Sequence, residues 1–106
     1  MLPEIKRNAV ICQAIEDRNV LRFFYDGGVR TVEPFCHGIS TAGKSVLRGF
    51  QSGGYSASKR VGWKMFEVAN ISRLSVLDEN FDGRRPHYNP NDSAMVKFFA
   101  RVPKPL

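Results

Sequence analysis

Between Glu4 and Arg18 the apolar residues Ile5, Ala9, Val10, Ile11, Cys12, Ala14 and Ile15 recur at helical spacing, with Lys6, Arg7, Gln13, Glu16 and Asp17 outside the stripe. This predicts an amphipathic helix over 4–18, with Pro3 in its first turn and Asn19 at its end. The period then shortens. Val20-Leu-Arg-Phe-Phe-Tyr25 and Val29-Arg-Thr-Val-Glu33 flank Asp26-Gly27-Gly28, which reads as a β-hairpin. Ser40-Thr-Ala-Gly43 marks a second turn before a strand over 44–51, and the Gly- and Ser-rich run 52–58 reads as a loop. Strands over 60–68 and 72–77 follow, then a polar extended stretch from Asn80 to Asp92. Asp92 or Ser93 is placed to cap a short helix through Met95, Val96, Phe98, Phe99 and Val102, stopped by Pro103 and Pro105.

One leading helix and several short strands predict a mainly β (α+β) fold, a small, strongly bent antiparallel sheet or open barrel. With 106 residues, 42% of them apolar, the chain can build one core. The expected division is a barrel with its N-terminal helix over 1–82 and a basic C-terminal extension over 83–106, docked on it. No apolar run approaches the roughly 18–20 residues needed to cross a bilayer, so a soluble cytoplasmic protein with no membrane partner is expected.

The net charge of +6 is unevenly distributed. Residues 1–33 balance five basic against five acidic side chains. From 34 to 66 there is no acid, while Lys44, Arg48, Lys59, Arg60 and Lys64 add +5. The stretch 67–83 sums to −3 and the stretch from Arg84 onward to +4. Local basic excess attracts phosphate, and Phe50, Tyr55, Trp63 and Phe66 lie among these cations, where aromatic rings can stack on bases. Solubility alone, and a core role for the rings, is the competing reading.

Catalytic and metal chemistry find little support in the residue pattern. Cys12, Cys36, His37 and His87 have no ligand spacing that sets two donors on one ion, so no metal or other cofactor is expected. Cys36 and His37 are adjacent and would point to opposite faces of a strand, which disfavours a thiol–imidazole pair. The glycines form neither phosphate-loop pattern, and the acids at 78–82 read as solvated caps. What remains is binding by cations on a sheet. Period-2 reading puts Val46, Arg48 and Phe50 on one side of their strand and Lys64 on the side of Phe66. A sufficiently bent sheet would bring Arg30, Arg48 and Lys64 to one cleft, with guanidinium forks suited to phosphate or carboxylate.

The run Ala14-Ile-Glu-Asp-Arg-Asn-Val-Leu-Arg-Phe-Phe-Tyr25, then Gly-Gly-Val-Arg30-Thr-Val-Glu-Pro34, Gly43-Lys-Ser-Val-Leu-Arg-Gly-Phe50 and Lys64-Met-Phe-Glu-Val-Ala-Asn-Ile71 resembles the WYL domain of bacterial regulators over about residues 10–82. The tripeptide that names the family falls at Ser45-Val46-Leu47, and two basic positions of the closing strand are Glu67 and Asn70. The resemblance implies an Sm-like or SH3-like barrel and recognition of a ligand or nucleic acid through a basic pocket. Arg30 and Lys64 match that pocket most directly, with Tyr25 and His37 as neighbours. Adding the acid-free segment's Arg48 and Arg60 gives a candidate set of Tyr25, Arg30, His37, Arg48, Arg60 and Lys64.

These readings point to a non-enzymatic, WYL-like regulatory module. It would bind an anionic ligand, such as single-stranded nucleic acid or a nucleotide, in bacterial transcription control or defence. Family members usually follow a helix-turn-helix domain, which one helix over 4–18 cannot supply, so a stand-alone module or one acting through a partner is expected, with the tail from Arg84 as the place for that interaction. The alternative is a protein-interaction or homodimerisation subunit working through a sheet edge or the Phe98-Phe99 segment.

Overall fold

The computed structural model describes residues 6–55 and 61–103. Helix α1 spans Ala9–Asp17 and strands β1 to β6 span Asn19–Tyr25, Gly28–Ser40, Ser45–Gly54, Gly62–Glu67, Ser72–Asn80 and Met95–Arg101. A single 3-10 turn, Val68–Asn70, joins β4 to β5. The expected helix starts later than its apolar stripe suggests, because Asn8 caps it: the Asn8 Oδ1 accepts from the Ile11 amide at 3.0 Å. Lys6 and Arg7 therefore precede the helix, and Pro3 to Ile5 lie outside the described residues. At the other end Arg18, not Asn19, turns the chain in a left-handed conformation (φ 58°) with its N–H closing onto the last helical carbonyls. Ile11, Cys12, Ala14 and Ile15 form the buried face.

The strands make one antiparallel sheet in the order β4-β3-β2-β1-β5, with β6 on β2. This is the mainly β, one-helix, barrel-like architecture that the pattern predicts. No helix among the described residues is long and apolar enough to cross a membrane.

Strand β2 organises the sheet. Its first part, Gly28–Val32, pairs with β1. Its second part, Cys36–Ser40, pairs on β6, while β3 runs along nearly all of it. Irregularities at Thr31/Val32 and between Pro34 and Cys36 let so long a strand bend. The sequence reading ended this strand at Glu33, but the structure continues it to Ser40 because partners are present on both sides.

The expected C-terminal helix is corrected by the same feature. Residues 95–101 form a strand. Beyond the start of β1, the Cys36–Ser40 backbone needs donors and acceptors, and Val96, Phe98 and Phe99 suit a strand at least as well as a helix. The loop expected over 52–58 is also corrected in part: Ser52, Gly53 and Gly54 extend β3, pairing Thr31 with Gly53 and Arg30 with Gly54. Residues 56–60 lie outside the described residues. Strand β5 runs three residues past Leu77, so Asp78 and Glu79 are exposed strand positions.

Register separates two faces. On β3 and β4, Leu47, Gly49 and Gln51 pair with Phe66, Lys64 and Gly62, while Val46, Arg48 and Phe50 pair with Glu67, Met65 and Trp63. The first face joins Leu21, Phe23, Val32, Leu47 and Phe66 to Ile11 and Ile15 in the main core. On the other, Cys36, Val46 and Met95 form a smaller cluster with Met65, Tyr88 and Phe98 against it. Residues 81–94 cover this second face. Arg85 forks onto Glu33 (2.9 and 2.7 Å), its guanidinium 4.1 Å from the Phe50 ring centroid, and the Trp63 indole N–H donates to the Pro86 carbonyl at 2.8 Å. Arg101 donates to the Pro90 carbonyl at 2.8 Å. Two cations of the basic tail are thus held internally.

Gly38 sets how closely β6 can approach, since a Cβ there would lie 1.9 Å from the Lys97 carbonyl oxygen. Backbone cannot yield as a flexible side chain does. Gly38→Ala is expected to destabilise the protein by about 2 kcal/mol or more, read as a lower urea midpoint with loss of amide protection in β6 before β1; an unchanged midpoint would show that β6 docks elsewhere.

Candidate anion-binding site

Arg30 follows the Asp26-Gly27 turn by three residues, opposite Phe23 on β1 and Gly54 on β3. Alternation from this register turns it to the core face, where it is 5% exposed. Its Nε donates to the Tyr25 carbonyl and its Nη1 to the Gln51 Oε1, both at 3.2 Å. The Gln51 amide in turn donates to the Tyr55 carbonyl at 2.8 Å, and the Tyr55 N–H donates to the Val29 carbonyl at 2.7 Å. Tyr55 is thereby clamped at both backbone groups. A Cβ on Gly28 would come within 2.2 Å of the Tyr55 Cβ, so the glycine admits the tyrosine over the strand.

Three rings surround the guanidinium. Its carbon lies 5.5 Å from the centroids of both Tyr25 and Tyr55 and 5.9 Å from that of Phe66. Tyr25 and Phe66 meet edge to face at 4.9 Å, and the Tyr25 hydroxyl accepts from the Glu67 N–H at 3.0 Å, which locks that ring. Among the described residues no carboxylate lies within ion-pairing distance of Arg30. Desolvating a charge costs several kcal/mol, and each ring face returns only about 0.5–2 kcal/mol. Two carbonyl-type acceptors and three rings hold the cation without neutralising it. The guanidinium therefore keeps its positive charge beside the exposed Tyr55 ring.

Of the sequence candidates, Tyr25 and Arg30 touch, and Lys64 lies on the same face of the sheet through its pairing with Gly49. Arg48 does not join them. It pairs with Cys36 and Met65 on the opposite face, and its Nε and Nη2 fork onto Asp92 at 2.7 and 3.4 Å. The expected convergence of Arg30, Arg48 and Lys64 is thus corrected by the period of two along β3. Arg60 lies outside the described residues.

His37 is also placed elsewhere. It stands seven positions along β2 from Arg30, up to ~23 Å at the rise of an extended strand, and is fully buried. Its Nε2 accepts from the Asn8 N–H at 2.8 Å, and its Nδ1 lies 2.9 Å from the Val46 carbonyl, to which it can only donate. The ring is therefore the neutral Nδ1–H tautomer, joining the helix cap to the sheet. Burial lowers its pKa from the ordinary 6.5, more than the Val46 hydrogen bond restores, and nearby Arg7 adds to the lowering. Cys36 points to the other face, 3.5 Å from the Tyr88 hydroxyl, and burial pushes its thiol up. A raised thiol pKa suits packing more than nucleophilic attack.

Gln51 and Tyr55 were missed as Arg30 partners. A polar residue in phase with Leu47 on a core face was a usable signal for Gln51, whereas Tyr55 depends on a three-dimensional clamp. Among the described residues no cluster of three or more His, Cys, Asp or Glu is positioned to hold a metal ion. No protein-family model matches the chain, and no curated protein or solved structure shows significant similarity to it.

The His37 arrangement has a pH signature. With the folded-state pKa below 6.5, the unfolded chain takes up the proton first, so this contribution to stability is complete above about pH 6.5 and is lost as pH falls toward the folded value. Urea midpoints should drop across that window, and His37→Gln, which keeps one donor and one acceptor, should flatten the slope; an equal slope in the variant would place its origin elsewhere.

Proposed function

We propose that this protein is a WYL-like binding module that takes a phosphate-bearing ligand, a single-stranded oligonucleotide or a nucleotide, at the surface beside Arg30 and the exposed Tyr55. The observation that carries the reading is a buried guanidinium held by two acceptors and three aromatic rings, with no acid beside it among the described residues. A core position could be filled by an apolar residue at lower cost, so the retained charge is best accounted for by an anion that completes it. Lys64, on the same face, supplies a second cation. Tyr55 is 47% exposed and offers a ring on which a base can stack beside the phosphate. The acid-free segment 34–66 adds a field that draws polyanions toward this face. The role proposed is recognition, in bacterial transcription control or defence.

Neutralising two phosphates on a single strand implies a log–log salt slope of about −1.4, so a fourfold rise in salt weakens binding roughly sevenfold. Anisotropy titration of a labelled mixed-sequence oligonucleotide at two salt concentrations checks this. The double variant Arg30→Gln, Lys64→Gln should bind more than tenfold more weakly, a loss of about 1.4 kcal/mol, with thermal melting showing that it remains folded. Unaltered affinity in the folded double variant would remove Arg30 and Lys64 from the reading.

A further inference from the structure

On the face of the sheet opposite Arg30 lies a half-open cleft of about 260 Å³ lined by Arg48, Trp63, His87, Tyr88, Asn89 and Asp92. We infer that this cleft binds one planar heteroaromatic ring of the nucleobase type, set against Trp63 with its polar edge on the Arg48–Asp92 pair. The inference needs neither Arg30 nor an anionic ligand.

Its aromatic wall is built before any ligand arrives. The Trp63 N–H is held by the Pro86 carbonyl, and its ring meets Phe35 at 4.9 Å and Phe50 at 5.5 Å edge-on. Tyr88 lies nearly parallel to the indole, 18° between planes and 5.8 Å between centroids, with its hydroxyl donating to the Val102 carbonyl. Rings fixed in this way lose little conformational freedom on binding.

The polar edge selects the ligand's chemistry. Arg48 and Asp92 neutralise each other, and Asp92 also accepts from the Ala94 N–H at 3.0 Å. Burial works to raise the Asp92 carboxyl, but Arg48 first and then the Ala94 amide hold it below its ordinary value, so it stays an acceptor at neutral pH. The pair offers a guanidinium donor beside a carboxylate acceptor with no net charge. That matches the alternating donors and acceptors of a base edge and gives a phosphate no unopposed cation. Size narrows it further. Pockets for drug-sized ligands run from about 300 to 1,000 Å³, so this cleft takes a single ring system and leaves a sugar and phosphate outside. His87, exposed on the lining and in a left-handed conformation (φ 68°), is placed to contact what protrudes.

Trp63 is the chain's one tryptophan, so its emission reports on the cleft directly. Adenosine and cytidine should quench it saturably and with little salt dependence, and inorganic phosphate should not. Asp92→Asn, with its fold checked by circular dichroism, should weaken the quenching at least tenfold, and the exposed Asn89→Ala should weaken it without touching the ion pair. Arg30→Gln should leave it unchanged, which separates this site from the proposed anion site at Arg30. An oligonucleotide that competes adenosine out assigns the ring to a strand; one that does not assigns it to a free nucleoside or base. Absence of saturable quenching by any nucleoside overturns the inference, as does equal quenching by benzene or loss of quenching in a folded Arg30→Gln protein.

Discussion

Backbone hydrogen bonding along the thirteen residues of β2 is the constraint from which the rest of the molecule follows. One edge of this strand is served by β3 along most of its length, while the other is shared between β1 and β6. No single short strand could satisfy a partner that bends at two irregularities. The tail must therefore come back to the sheet, and in doing so it lays residues 81–94 across the second face. Gly38 is the point at which this return is closest, backbone against backbone. The cleft under the returning tail is a consequence of that route, whereas the Arg30 site lies at the start of β2 beside the β1–β2 turn and is built from β1, β3, β4 and Tyr55.

The charge of the protein divides along the same line. On the face covered by the tail two cations are matched, Arg85 with Glu33 and Arg48 with Asp92, while Arg101 is held by the Pro90 carbonyl. On the core face Arg30 is surrounded by rings and carbonyl-type acceptors with no carboxylate among the described residues. A paired fork and a lone fork use the same side chain for opposite purposes. The first ties a loop to a sheet, and the second packs a charge among rings and carbonyl-type acceptors. His37 belongs to the structural category, because both its nitrogens are used between helix cap and strand.

Much of the architecture was legible because it is written locally. Asp26-Gly27 marks its turn, aromatic and branched residues mark β1, alternation marks β3 and β4, and the stripe from Ile11 to Ile15 marks α1. The errors cluster where a distant partner decides the outcome. Met95 to Arg101 carries apolar residues compatible with either a helix or a strand, and the unpaired edge of β2 selects the strand. Ser52 to Gly54 has the composition of a loop, yet Thr31 and Arg30 hold Gly53 and Gly54 in the ladder. Arg48 was expected beside Arg30 through a sharp bend of the sheet, although its own strand period already placed it on the side of Val46 and Phe50.

The amino-acid order by itself determined the mainly β class, the leading helix and the hairpin, since periodicity and turn chemistry act over a few residues. The grouping of Tyr25, Arg30, His37 and Lys64 was what the WYL resemblance implied, and the register brings Tyr25 to Arg30 and leaves His37 apart. Only the tertiary structure decided which cations stay unopposed. Glu33 and Asp92 lie far in sequence from Arg85 and Arg48, and a charge is neutralised by what stands within a few ångströms of it, not by what precedes it in the chain.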